Sequence, residues 1–123
     1  MIIAVDFDGT VVKHAYPGVG DELLGATEVL LDLVQAGHDL ILWTMRSGVE
    51  LDDAVHWFKS RAIPLYGING CPDQHLWTNS PKVNADLFID DRALGSHVEI
   101  EPNGKAIVNW QEVRKHLVKL KVL

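Results

Sequence analysis

The stretch MIIAVDFDGTVV, residues 1–12, sets the frame for the whole chain. Ile2 to Val5 form a short run, apolar on both faces and rich in β-branched side chains. That is the pattern of a strand buried in a parallel sheet. The run ends on two like charges, Asp6 and Asp8, and then on Gly9 and Thr10. Two carboxylates closing a buried strand carry an electrostatic cost that needs a reason.

Working outward, 11–20 (VVKHAYPGVG) holds Pro17, Gly18 and Gly20 and reads as a loop or short hairpin. Asp21 is placed to cap a helix over about 22 to 36, whose stripe is Leu23, Ala26, Leu30, Leu33 and Val34, with Gly37 as its stop. DLILWT (39–44) is a second buried strand. A second amphipathic helix spans roughly 49 to 61 with Leu51, Val55 and Phe58 on one face, and Pro64 lies just past it. Trp57 and Phe58 are adjacent, so one of them is expected to lie outside the core or at a subunit contact. LYGIN (65–69) is a short third strand, 70–82 a loop and ADLFID (85–90) the next strand. EPNGK (101–105) turns between HVEI and AIVNW. A last helix, about 110 to 120, is capped by Asn109 and packs through Val113, Leu117 and Leu120.

Strand, helix, strand, helix, strand predicts an α/β domain with a mainly parallel sheet. Ligands of such sheets bind beyond the carboxyl ends of the strands. Here those ends carry Asp6 and Asp8, then Thr44, then Asp90 and Asp91. Parallel strands would gather carboxylates distant in sequence into one small volume.

Composition narrows the classes. The 123 residues suit one domain, 1–123, and 47% hydrophobic with 23% charged residues is the balance of an ordinary globular protein. A net charge of −6 argues against nonspecific binding to nucleic acid or to an anionic membrane. It leaves room for a phosphorylated substrate if a cation sits in the site. The single Cys71 excludes an internal disulfide and a multi-cysteine zinc site, and reads as an incidental thiol in a cytoplasmic protein. No signal peptide and no membrane span is expected, because Asp6 ends the first apolar run.

Carboxylates about 4 Å apart repel by roughly 4 kcal/mol per pair at an effective dielectric of 20. Either protons stay on or a hard cation neutralises the cluster. All-oxygen ligands without His or Cys favour Mg²⁺. With Thr44 and a lysine beside it, such a site points to phosphoryl chemistry.

The D-F-D-G-T of 6–10 resembles the first motif of the haloacid dehalogenase (HAD) superfamily of phosphotransferases. Thr44 at the end of LILWT resembles the second-motif Ser or Thr. Lys82 in SPKVNAD resembles the third-motif Lys or Arg, and Asp90-Asp91 in LFIDD the acidic fourth motif. The likeness runs from residue 1 to about 95. By itself Lys82 is an ordinary surface lysine, and its assignment depends on the eight residues to Asp90.

The resemblance implies a Rossmann-like three-layer α/β/α sandwich. It implies that Asp6 is the nucleophile, forming an aspartyl phosphate. Asp8 would be the general acid and then the base. Thr44 and Lys82 would hold the phosphoryl oxygens, and Mg²⁺ would be bound by Asp6, the Asp8 backbone carbonyl, Asp90 and Asp91, the last directly or through water. Gly9 lets the chain turn so that Asp8 can stand over the reaction centre.

Many relatives in that superfamily insert a cap domain. Here 11–43 is used by a loop, a helix and a strand, and 45–81 by a helix, a short strand and a loop, so no cap is expected. An open site admits a bulky substrate or is closed by a neighbouring subunit, which makes a homodimer an expectation. Candidates for substrate contact are Thr10, Lys13, His14, Arg46, His75, Trp77 and Arg92, with Tyr16 in the first loop. The expected function is a Mg²⁺-dependent phosphomonoester hydrolase acting on a small phosphorylated molecule. The alternatives are a phosphate- or nucleotide-binding regulatory module that turns over little, and a phosphotransferase to an acceptor other than water.

Overall fold

The structure is a computed structural model describing residues 1–123. Strand β1 (Ile2–Val5) lies inside a four-stranded parallel sheet with β2 (Asp39–Leu42), β3 (Gly67–Ile68) and β4 (Leu87–Ile89), in the order β3-β2-β1-β4. Val5 sits opposite Leu42 on one side and Ile89 on the other, so the carboxyl ends of these strands are level. The fold is therefore α/β with a parallel main sheet. Strands β5 (Val98–Ile100) and β6 (Ala106–Val108) form a separate antiparallel hairpin. No helix is long and apolar enough to cross a membrane.

Side-chain alternation along β1 divides the sheet. Ile3 and Val5, with Leu40 and Leu42, join the main core together with helices α1 (Ala26–Gln35), α2 (Gly48–Ser60) and α3 (Trp110–Lys119). Ala4 and Ile41 point the other way, into a small cluster with Val83 that Trp43, Tyr66, Cys71 and Ala85 flank. The segment over this second face contains one 3-10 turn, Gln74–Leu76, and no α-helix. The helical third layer expected of a three-layer sandwich is thus replaced by an irregular crossover. Buried Gln74 holds it: its Nε2 donates to the carbonyls of Ser80 (3.3 Å) and Lys82 (2.6 Å), and its Oε1 accepts from the Asn84 amide at 2.7 Å.

Helix α1 begins four residues later than its apolar stripe predicts. Asp21 is not its cap; that position is Gly25, at φ +87° with no side-chain hydrogen bond. The cause is a pairing outside the helix. Lys13 N donates to Asp21 O (2.8 Å) and Leu23 N to Val11 O (2.9 Å), which makes 11–23 a hairpin-like loop and keeps its second arm extended. The stop at Gly37, φ +91°, is as expected. So is the cap of α3, where Asn109 Oδ1 accepts from the amides of Gln111 and Glu112, both at 3.1 Å.

Trp57 and Phe58 are both buried, against expectation. Neighbours on a helix diverge by about 100°, yet Phe7 continues the β1 core face past the strand end and meets both rings. Its centroid lies 5.9 Å from that of Trp57 and 6.1 Å from that of Phe58. The Arg61 guanidinium covers the Trp57 ring, 4.0 Å from its centroid. The core therefore extends around α2 instead of stopping at one stripe.

Candidate active site

Beyond the level strand ends the chain changes from apolar to charged within one residue. Asp6 follows β1, Asp90 follows β4, and Asp6 N still donates to Ile89 O at 3.0 Å, so the two are held side by side. Chain order reverses between β1 and β4, and a parallel sheet opens its ligand crevice at such a point. Each of Asp6, Asp90 and Asp91 offers a carboxylate oxygen there, all within 4.8 Å of one another. Burial pushes the Asp6 carboxyl up to about 8, reinforced by its hydrogen bond with Asp91 and by the charge of Asp90.

The chain turns tightly after β1. The Phe7 carbonyl accepts from the amides of Thr10 (3.1 Å) and Val11 (2.9 Å), and Gly9 takes φ +77°. A side chain at residue 9 is excluded twice over: a Cβ there would stand 2.3 Å from the His14 ring and 2.8 Å from Asp91 Oδ2. Thr10 is fully buried beneath the cluster. Its hydroxyl lies 2.9 Å from Asp6 Oδ2 and 3.3 Å from Asp91 Oδ1, and accepts from the Asp91 amide at 3.1 Å. One hydroxyl proton serves one carboxylate at a time, so Thr10 couples the two acids structurally and does not face a substrate.

Asp8 stands apart from the three-carboxylate cluster. Both of its oxygens are taken by Arg46, with Nε donating to Oδ2 at 2.8 Å and Nη2 to Oδ1 at 2.7 Å. Arg46 is buried, and Asp8 keeps it charged by raising its pKa further. Its remaining donors reach the carbonyls of Pro17 (3.1 Å), Glu50 (3.3 Å) and Gly18. A guanidinium has five N–H groups, and here all five are used. Arg46, a candidate for substrate contact, has no donor left for one; it is the hub that joins Asp8, the 11–20 loop and the start of α2.

An open cavity of about 1000 Å³ lies over these groups. Asp6, Asp8, Thr44, Arg46, Asp90 and Asp91 line it, as do His14 and Arg92. The Thr44 amide donates to Asn69 Oδ1 at 2.8 Å and its hydroxyl accepts from the Arg46 amide at 3.1 Å. His14 Nε2 donates to the Ala106 carbonyl at 2.9 Å and lies 3.5 Å from Asp91 Oδ2, which ties it to the hairpin.

The remaining candidates are elsewhere. Lys13 pairs with Glu101 at 3.8 Å, His75 Nδ1 contacts the Pro72 carbonyl at 2.9 Å, and Trp77 is exposed. Lys82 is exposed on the crossover and is not among the residues lining the cavity. Sequence reasoning passed over Asn69, Trp43 and Lys105, which do line it. The same strand-end logic that selects Thr44 would have selected Asn69, just past β3. Nothing local marks Lys105.

Three converging carboxylates, one of them held protonated by its surroundings, suit a divalent cation. A folded-state pKa raised toward 8 means that the folded chain keeps a proton the unfolded chain loses from about pH 4 upward. The metal-free protein should therefore lose stability as pH rises through that window. A cation competes for the same site, so excess MgCl₂ should raise the melting temperature more at pH 8 than at pH 5. Thermal unfolding with and without the salt measures this, and equal or absent shifts would remove the cluster as a cation site.

No protein-family model matches the chain, and no curated protein matches it. Among solved structures it is similar to a conserved protein from Bacteroides thetaiotaomicron. The two are 42% identical over 98% of this chain and 91% of that one, with a TM-score of 0.80.

Proposed function

This chain belongs to one family with that conserved Bacteroides protein, and from its strand-end acids we propose that it is a Mg²⁺-dependent phosphomonoester hydrolase of the capless HAD type. The observation that carries the reading is the division of labour among four carboxylates. Asp6, Asp90 and Asp91 converge, whereas Asp8, two residues from Asp6, is turned aside and fixed by Arg46. A cluster built only to bind a cation gains nothing from that arrangement. Nucleophilic catalysis needs both a carboxylate that attacks and a second one that handles the proton.

In this mechanism Asp6 would give up its proton when a cation is bound, and one of its oxygens then attacks phosphorus while the bond to the leaving oxygen breaks. Asp8, which must carry a proton and release one of its two Arg46 contacts to do so, delivers the proton that oxygen needs. Water then attacks the aspartyl phosphate, Asp8 accepts its proton, and inorganic phosphate leaves with Asp6 restored. Asp6, Asp90, Asp91 and the Asp8 carbonyl, which accepts no hydrogen bond from the protein, are the groups that would hold Mg²⁺. Bound there, the ion supplies positive charge against the phosphoryl oxygens, the main requirement of this chemistry. The Thr44 hydroxyl, which lines the cavity and accepts from the Arg46 amide, keeps its proton to offer to a phosphoryl oxygen. The lysine role implied for Lys82 requires its side chain to swing in from the exposed crossover.

The capless reading is supported by what lies between the strands. A hairpin-like loop and α1 connect β1 to β2, and α2, β3 and the irregular crossover connect β2 to β4. The direct test is phosphate release from phenyl phosphate. It should require Mg²⁺, stop with EDTA and return with excess Mg²⁺; silence across a broad panel of phosphate esters would sink the proposal.

A further inference from the structure

The cavity is far larger than a phosphoryl group needs; about 1000 Å³ is the upper end of the range that encloses a drug-sized molecule. Its charge is divided. The floor is acidic, and the buried cation, Arg46, has no donor left for a ligand. Two further cations line the cavity, Arg92 and Lys105, and both are exposed. Neither forms an ion pair within the chain, and of the unpaired cations these two line the cavity, whereas Lys59, Lys82, Lys119 and Lys121 do not. Both are therefore free to meet an anion there.

They reach it by different routes. Arg92 follows Asp90 and Asp91 directly, and its amide donates to Asp90 Oδ1 at 2.8 Å, which fixes the root of the side chain. Lys105 comes from the far end of the chain, on the β5–β6 hairpin. Its amide donates to Asn103 Oδ1 and its carbonyl accepts from the Glu101 amide, both at 2.9 Å. The hairpin is then pinned at two points, His14 to Ala106 O and Val108 N to Gly9 O, and the start of α3 that follows it is pinned at a third, Trp110 Nε1 to Thr10 O. Both cations thus stand on anchored backbone, which lowers the ordering cost of meeting an anion.

We propose that Arg92 and Lys105 form a second anion subsite, so that the preferred substrate is a phosphomonoester whose leaving group carries another phosphate or a carboxylate. This rests on the phosphatase reading above. Tyr16 and Trp43 on the cavity wall make aryl esters suitable probes. The experiment measures kcat/KM for phenyl phosphate, 3-carboxyphenyl phosphate and 1,3-phenylene bis(phosphate), in the full-length wild type and in Lys105→Met and Arg92→Met. Comparing each substrate between enzymes cancels differences in leaving-group reactivity.

Loss on one or both anion-bearing esters should exceed the loss on phenyl phosphate by about five- to tenfold, between the upper end for an exposed ion pair and the lower end for a charge-assisted hydrogen bond. The ester that suffers more identifies phosphate or carboxylate as the second group. Lys105→Arg should retain the preference. In the wild type, raising the salt should erode that preference, a readout that needs no variant. An equal loss on all three esters would show that the two cations act on the transferred phosphoryl group, and no loss would show them idle; either result overturns the subsite. A wild type inactive on all three removes the phosphatase reading itself and the subsite with it, so the two failures are distinguishable.

Discussion

Asp6→Asn is expected to lower phosphate release by about four orders of magnitude or more, the scale on which loss of a covalent nucleophile is felt. The fold should survive it. Asp6 is crowded by Asp91 and Asp90 in a buried setting that already favours its neutral form. A neutral amide of the same shape still accepts the Thr10 hydroxyl, which lies 2.9 Å from Oδ2, and it removes like-charge repulsion. The metal-free variant should accordingly melt no lower than the wild type at pH 8, and should lose the decline in stability from about pH 4 to about pH 8 expected of the wild type. Single-turnover assays and thermal unfolding read the two effects separately. Full turnover by Asp6→Asn would end the aspartyl-phosphate mechanism, whatever the fate of the fold.

Arg46→Met should damage both stability and activity, because one side chain supports three elements. Removing it leaves Asp8 without its bidentate partner and strips a donor from Pro17, Gly18 and Glu50. Breaking a buried pair from one side costs about 3–5 kcal/mol, and the partial exposure of Asp8 brings the expectation to about 2–4 kcal/mol. In a chain of this size that lowers the melting temperature by roughly ten degrees. Turnover should fall by about a hundredfold or more as Asp8 loses its fixed orientation. The loss should fall mainly on kcat, since Arg46 has no donor left for the substrate. An Arg46→Met enzyme with wild-type melting and wild-type kcat would contradict the hub.

What could be read in advance was local. The cap of α3 is correct because Asn109 acts on amides two and three residues away. The cap of α1 is misplaced because the deciding partner of residues 21–23 is the strand-like 11–13 segment, a contact outside the helix. Trp57 and Phe58 follow the same rule. Helical periodicity alone exposes one of them, and Phe7, fifty residues earlier, buries both. The loop read over 70–82 does cover the second face of the sheet, in place of the helical layer that the family resemblance implies, and Gln74 satisfies the crossover backbone that a helix would otherwise have satisfied internally.

The candidate site divides along the same line. The sequence by itself determined that Asp6, Thr44, Asp90 and Asp91 meet at one edge. Each directly follows an apolar strand or lies within two residues of its end, and parallel strands joined by crossovers place those ends together. Only the tertiary structure decided which cations join them. It buried Arg46 against Asp8, left Lys82 exposed outside the cavity and carried Lys105 in on a docked hairpin. The reason is one of range. A strand end is set by its own few residues, whereas the neighbour of a long charged side chain is set by which distant backbones pack together, and no spacing along the chain encodes that.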